Sequence, residues 1–412
     1  MVCEPRVLLA LAGCGACGWR VLRAVAGFGE GSGGMRPMGL LTWEDARTER
    51  NAMKPNEKTH QVLVGNAAFR AAGRAVPLGG GAPVVVQSML NAPAEDAAAN
   101  LVQIERLAAA GCEVVRMAVP RLDCLDAFEE VCAKSPLPVV ADIHFDARIA
   151  IGAAQRGAAK LRINPGNIGG FEKTNEVIEA AREAGIPIRV GVNAGSLDKE
   201  LAARDDLTLP QKLAQSAADY AAYFESRDFH DVVVSAKAHD VVATIETYRL
   251  LSERIPQTPL HIGVTEAGTL FQGIIKSAAG LGILLEQGIG DTLRISLTDD
   301  PAQEVRACWA LLNALGLRHR GVELISCPTC GRTQVDLIPL AEAVEARLAS
   351  VERPLKVAVM GCVVNGPGEA SDADIGVACG NGTGIVFSQG EMLRKVSEDK
   401  ILDALMEEIA KL

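Results

Sequence analysis

Eight short runs rich in β-branched residues, each followed by a segment of helical period, constrain this chain more than any other feature. The runs are Pro83–Met89, Val114–Val119, Pro138–Ile143, Lys160–Asn164, Ile186–Val192, Asp231–Lys237, Leu260–Glu266 and Asp291–Leu297. Between them, apolar residues at helical spacing predict helices over Ala97–Ala110, Thr174–Ala184, Gln211–Glu225, Val241–Arg254, Gly273–Gln287 and Ala302–Leu315. Strands that alternate with helices make a parallel sheet. Eight of them close into a TIM-type (β/α)8 barrel with every C-terminal strand end at one face. An open doubly wound sheet competes with that reading, but no Gly-x-Gly-x-x-Gly follows a strand. The α/β barrel is expected over residues 54–318, with a small α+β domain over 319–412.

The residues at the strand ends carry the first functional signal. They are Arg116; Asp142 and His144; Arg162 and Asn164; Arg189 and Asn193; Ser235 and Lys237; Glu266; Arg294 and Ser296. An unpaired buried charge costs several kcal/mol, so a barrel strand has no structural use for an arginine. Any single one reads equally well as a rim salt bridge. Four arginines and one lysine at matching positions of five strands instead make a positive basin, suited to an anion with more than one phosphate. Asn164, Asn193 and Ser296 offer neutral hydrogen bonds to complete it. Glu266 is the strand-end carboxylate placed to handle a proton among those cations. His144 either binds substrate or orients a neighbour.

After Arg320 the pattern changes. A strand over Val322–Ile325 leads into Cys327-Pro328-Thr329-Cys330, a helix follows over Val335–Ala349, and a strand over Lys356–Met360 delivers Gly361-Cys362. Short strands over Asp374–Ala378 and Gly384–Phe387 and a helix over Lys400–Lys411 complete the domain. A Cys-x-x-Cys pair with a third cysteine in a Gly/Pro/Asn-rich loop reads as a metal or iron–sulfur site. Structural zinc wants a second pair or histidines, and no histidine follows His319. A Cys327–Cys330 disulfide would leave Cys362 over. A [4Fe–4S] cluster fits three cysteines plus a fourth ligand, either Cys379 or Glu369, and spacing alone leans towards the commoner thiolate, Cys379.

Composition excludes other classes. The 412 residues carry a net charge of −10, which argues against nucleic acid as the main partner. No uncharged apolar run is long enough for a transmembrane helix. Eleven cysteines spread without a dense framework suit the reducing cytoplasm. Residues 1–53 differ from the rest. Leu11-Ala12-Gly13-Cys14 has the shape of a lipoprotein cleavage site and Cys14–Cys17 that of a redox pair, but the plainer reading is an extension, or upstream sequence ahead of a natural start at Met53.

Cys327-Pro328-Thr329-Cys330-Gly331-Arg332 with Gly361-Cys362-Val363-Val364-Asn365-Gly366-Pro367-Gly368-Glu369 resembles the bacterial 4-hydroxy-3-methylbut-2-enyl diphosphate synthase family. So do Ala141–Phe145, Leu161–Asn167, Arg189–Ser196, Val264–Gly268 and Asp291–Leu297, and the likeness runs from about His60 to the C-terminus. The resemblance implies reductive ring opening and dehydration of 2-C-methyl-D-erythritol 2,4-cyclodiphosphate in the non-mevalonate isoprenoid pathway. It implies a [4Fe–4S] cluster on Cys327, Cys330, Cys362 and Glu369, which displaces Cys379. Electrons would come singly from reduced flavodoxin or ferredoxin. Arg116, Arg162, Arg189, Lys237 and Arg294 would bind the cyclic diphosphate, and Glu266 would handle the proton. Homodimers are implied, with one subunit's cluster domain over the other's barrel.

Two departures stand out. Leu90 follows Gln87-Ser88-Met89 where the family has Thr, and Phe69–Leu78 looks like an inserted hairpin loop remote from chemistry. Two alternatives remain beside the leading one: an iron–sulfur dehydratase of another phosphorylated polyol, and a cluster-carrying electron-transfer or iron-sensing module. The module would leave the five strand-end cations unexplained.

Overall fold

A computed structural model of the chain describes residues 56–349, 351–362, 370 and 373–412. The expected N-terminal extension and Glu369 lie outside the described residues. A hairpin comes first: β1 (Val62–Val64), helix α1 (Ala67–Ala71) and β2 (Val76–Leu78), with the strands antiparallel. The barrel follows, starting with β3 (Val85–Met89), α2 (Ala97–Ala109), β4 (Val114–Ala118), α3 (Leu125–Lys134), β5 (Val139–Asp142) and α4 (Ala147–Gln155). It continues through β6 (Lys160–Ile163), α5 (Gly170–Ala184), β7 (Ile188–Asn193), α6 (Lys199–Ala202), α7 (Leu209–Ser226) and β8 (Val232–Lys237). It ends with α8 (Val241–Arg254), β9 (His261–Ile262), α9 (Leu270–Glu286), β10 (Thr292–Leu293) and α10 (Pro301–Ala314).

These strands form one eight-stranded parallel sheet in the order β8-β7-β6-β5-β4-β3-β10-β9, and a parallel bridge from Val234 to Leu260 joins its two edges. The barrel expectation is therefore met. Asp96 and Asp240 cap the helices behind them, and Thr208 with Gln211 forms a capping box at α7, so each helix starts where its strand's loop ends.

Period-2 alternation sorts the strand residues. Val86, Val115, Ala141, Leu161, Ile163, Val190, Val192 and Val234 face outward into the main core beneath the helices. Inward, Val85, Val114, Val140 and Val233 pack against Val62, Val64 and Leu78. The hairpin is thus a plug at the barrel's N-terminal end rather than an extraneous loop. Gly65 N–H donates to Ala159 O at 3.1 Å, and Asn66 Nδ2 donates to Gly157 O at 2.7 Å, pinning it there. Above this apolar floor the residue two along each of those four strands is polar: Gln87, Arg116, Asp142 and Ser235.

The C-terminal domain is a five-stranded sheet of β11 (Val322–Ser326), β12 (Leu355–Met360), β13 (Ile375–Gly380), β14 (Thr383–Ser388) and β15 (Glu391–Ser397), in that order. The first three are parallel and the rest antiparallel. Helices α11 (Leu337–Leu348) and α12 (Ile401–Ile409) pack through Val344, Leu348, Ile401 and Leu405 onto Val357, Val359, Val377 and Cys379. No helix among the described residues is long and apolar enough to cross a membrane.

Candidate functional site: a cationic barrel mouth and a cysteine loop pair

The strand pairing brings four of the expected residues into one ion-pair network. Asp142 is paired in register with Arg162, which is paired with Arg189. Arg162 Nη1 donates to Asp142 Oδ1 at 3.0 Å, and Arg116 Nε lies 3.5 Å from Asp142 Oδ2. His144, half-exposed at the rim, places Nε2 3.6 Å from Asp142 and Nδ1 3.4 Å from Arg162. Burial pushes the Asp142 carboxyl up, but Arg116, the His144 hydrogen bond and Arg162 together outweigh it and hold it well below the usual carboxylate range. Arg116 is pulled down to about 10 by burial, against the attraction of Asp142 and with the repulsion of Arg294 and Arg162.

Arg294 has its own anchor. Its Nε and Nη2 donate to the two oxygens of Glu304 at 3.0 and 2.8 Å, a bidentate pair. Glu304, on α10 and 2% exposed, also accepts from Ser88 Oγ and from Leu297 N–H. Between the two arginines sits Met89, whose Sδ lies 2.8 Å from Arg116 Nη2 and 3.6 Å from Arg294 Nη1.

Arg189 and Lys237 are different. Both are buried, and among the described residues neither has a carboxylate at ion-pair distance. Burial first, then the neighbouring cations, pulls both well below their usual values. Buried cations without a carboxylate suit an anionic ligand. Two glycines make the room: a Cβ on Gly191 would stand 2.6 Å from Arg162 Nε, and one on Gly263 2.5 Å from Lys237 Nζ.

The remaining expected residues ring this centre. Asn164 is buried and accepts from Gly166 N–H, while Ser235 is buried and faces Val190 O at 3.4 Å. Asn193 and Ser296 are half-buried near the strand ends. Glu266 is exposed, in the left-handed region at φ 54°, a conformation that costs an L-residue about 1 kcal/mol or more and marks a constrained position. Leu90 turns into the apolar core, so the family's hydroxyl at that position has no counterpart facing the mouth.

Sequence reasoning missed Gln87, Met89, Lys160, His261 and Glu304. The first four lie on barrel strands at inward positions, and carrying the alternation down from Arg162 would have found Lys160. Glu304 lies inside a helix and carries no such signal.

At the second centre the parallel register of β11 with β12 pairs Ser326 with Val359, so both cysteine loops leave the sheet at the same edge. Gly361 N–H donates to Cys327 Sγ at 3.2 Å, and Gln334 N–H donates to Gly361 O at 3.1 Å. Backbone and side-chain hydrogen bonds from Arg332 lower the Cys330 thiol. All three thiols are free. Among the described residues no three such side chains converge tightly enough to hold a single metal ion. A cluster spreads its ligands over several irons, and thiols on two joined loops suit it better than one ion. Cys379 is fully buried on the helix-covered face, where burial pushes it up to about 12.

Comparison with known proteins agrees with this layout. Residues 71–309 match the family model described as the GcpE TIM-barrel domain, and residues 323–411 match the GcpE protein C-terminal domain. A Geobacter sulfurreducens protein named 4-hydroxy-3-methylbut-2-en-1-yl diphosphate synthase (flavodoxin) is 52% identical over 355 residues, 86% of this chain and 98% of its own. One of the same name from Maridesulfovibrio salexigens is 50% identical over 354 residues, covering 86% and 96%. Among solved structures, a Coxiella burnetii dihydropteroate synthase covers 56% of this chain and 94% of its own at 12% identity and a TM-score of 0.42, too slight a likeness to bear on function. With both family models matched in order, the chain belongs to the 4-hydroxy-3-methylbut-2-en-1-yl diphosphate synthase (GcpE) family.

Proposed function

We propose that the protein opens the ring of 2-C-methyl-D-erythritol 2,4-cyclodiphosphate, removes water and adds two electrons, giving (E)-4-hydroxy-3-methylbut-2-enyl diphosphate for isoprenoid biosynthesis. The observation that carries this reading is the set of five cations from five barrel strands, of which Arg189 and Lys237 have no acidic partner among the described residues. Arg116, Arg162, Arg189, Lys237 and Arg294 hold the diphosphate and stabilise the negative charge that builds on the departing phosphate oxygen. Asp142 and His144 fix Arg116 and Arg162 at the rim and complete the ligand's surroundings. Asn164, Asn193, Ser235 and Ser296 hydrogen-bond phosphate and hydroxyl oxygens. Glu266, held outward past β9, gives its proton to the departing hydroxyl so that it leaves as water.

Cys327, Cys330 and Cys362, with Glu369, would hold the [4Fe–4S] cluster; when bound it supplies electrons one at a time to the carbon framework. Reduced flavodoxin or ferredoxin is the electron donor, and the protein works in the cytoplasm with its thiols reduced. We assign residues 54–318 to substrate binding, 319–412 to the cluster and 1–53 to an extension. A homodimer is supported by apolar side chains on the loops and first helical turns after the strands, where Phe145, Phe171 and Phe271 are 77%, 57% and 77% exposed.

Anaerobic turnover tests the reading. The reconstituted protein should form the allylic diphosphate from the cyclodiphosphate only when a one-electron reductant is present. Conversion without reductant would favour a dehydratase instead, and no conversion with it would remove the substrate assignment.

A further inference from the structure

Below the mouth cations the barrel holds a second set of buried polar groups that the proposed chemistry does not use. Lys160, Gln87 and His261 are fully buried. Lys160 sits just above the floor: its sheet partner Val140 and its chain neighbour Ala159 both belong to the apolar plug. Among the described residues, Lys160 Nζ, both polar atoms of the Gln87 amide, His261 Nε2 and Arg189 Nε and Nη1 have no hydrogen-bond partner. Buried donors left unpaired in this way each carry the full cost of desolvation. Lys160, Arg189 and His261 lie close enough to act on one another electrostatically, and such a group calls for something it can bind.

Charge gives its sign. Among the described residues the five mouth cations and Lys160 meet two buried carboxylates, Asp142 on its strand and Glu304 on α10, while a third, Asp291, is taken up by Thr59 Oγ1 and Leu260 N–H. A cyclic diphosphate has one ionisable oxygen on each phosphorus and brings two negative charges, so positive charge remains even with the ligand bound. The excess lies deep, where Lys160 and Arg189 act on each other and neither has a carboxylate at ion-pair distance among the described residues. His261 adds a neutral contact. Burial and the surrounding cations pull its ring well below the usual value; Nδ1 lies 3.4 Å from the Thr292 hydroxyl, and in the tautomer that accepts there Nε2 is the donor.

We propose that the barrel floor is a second anion site, taking a halide-sized monovalent anion, chloride in ordinary buffers, on Lys160, Arg189, His261 Nε2 and the Gln87 amide, beneath the diphosphate. The charge count rests on the cyclic-diphosphate reading; the unpartnered donors do not. Chloride matches the chemistry because it accepts from several donors at once and has no preferred geometry.

Bromide replaces chloride and scatters anomalously. Crystals of the full chain soaked in bromide, with and without the cyclodiphosphate, should show a peak beside Lys160 Nζ in both states, and the Lys160→Met variant should lose it. In solution, exchanging gluconate for chloride at constant ionic strength should raise the Tm of the wild type by about 3 °C and leave Lys160→Met unmoved. A wild type with only water at the floor and a Tm indifferent to halide would overturn the proposal and leave Lys160 as a neutral amine. Failure of the substrate reading shows separately: the cyclodiphosphate would then not displace bromide from Arg116 and Arg294 at the mouth, whatever happens at the floor.

Discussion

Glu304 shows how one side chain sets the use of another. It holds both forks of Arg294 and also accepts from Ser88 and Leu297 N–H, so the guanidinium is fixed before any ligand arrives. Glu304→Gln keeps the shape but removes the charge. Breaking a buried pair on one side costs about 3–5 kcal/mol, and Gln retains part of the hydrogen bonding, so a Tm loss of several degrees with KM raised about tenfold is expected. Steady-state kinetics beside a thermal melt would show it; an unchanged KM would mean Arg294 does not face the ligand. Asp291 makes a different prediction, at the barrel floor. Its carboxylate accepts from Thr59 Oγ1 at 2.9 Å and Leu260 N–H at 2.8 Å, yet burial pushes it up to about 6. Because that value lies above the unfolded one near 3.9, its contribution is whole below about pH 4 and is lost as pH rises through about 6. Asp291→Asn has no charge to bury, so its Tm relative to the wild type should climb between pH 5 and pH 8, by the equivalent of at most about 3 kcal/mol. A constant difference across that range would exclude the linkage. The five mouth cations were legible in the sequence because strand ends are easy to find; Glu304 and Asp291 were not, since a helix-borne carboxylate and a strand-start one look like ordinary surface charges until packing buries them.

At the scale of elements, strand positions were legible and strand lengths were not. The runs expected over Leu260–Glu266 and Asp291–Leu297 form strands only at His261–Ile262 and Thr292–Leu293, beside the single bridge at Leu260. Beyond them the backbone yields to the site: Gly263 lies under Lys237 Nζ and against Arg294 O, and Glu266 takes a left-handed conformation. Strand β15 was missed because as an edge strand it buries no regular face, with Met392 and Leu393 exposed. The turn before it was the available clue. Gln389 and Gly390 both have positive φ, as do Asn381 and Gly382 before β14, the two-residue hairpin geometry that favours glycine second. The β1–β2 plug was read as a loop remote from chemistry, and remote it is, but its apolar residues close the barrel. Leu78 is fully buried against that floor. Leu78→Ala should cost about 2–5 kcal/mol of stability while leaving the activity of the folded fraction unchanged. Denaturant melts and active-site titration would separate the two; a fall in activity per folded molecule would tie the plug to the site.

Across the whole molecule, the chain combines a barrel that gathers positive charge with a sheet domain that gathers thiols, and family membership says both serve one reaction. Which residue completes the cysteine set is decided by a paired comparison. Spacing leans towards Cys379, but its thiol is fully buried in the apolar core that Cys327 packs against, and burial pushes it up to about 12, which disfavours the thiolate a ligand needs. Glu369→Ala should therefore give a labile, poorly active cluster by visible absorption and iron content, and Cys379→Ala should be close to wild type. The reverse pattern would restore Cys379 as ligand. The barrel mouth as a diphosphate cradle makes the sharpest prediction at this scale. Anaerobic calorimetric titration of the cyclodiphosphate into wild type and Arg189→Gln tests it directly. One molecule should bind per chain, less tightly as salt rises, and loss of one charge-assisted contact worth about 1.5–3 kcal/mol should weaken it roughly tenfold to a hundredfold. Equal affinity in the two proteins would contradict the account.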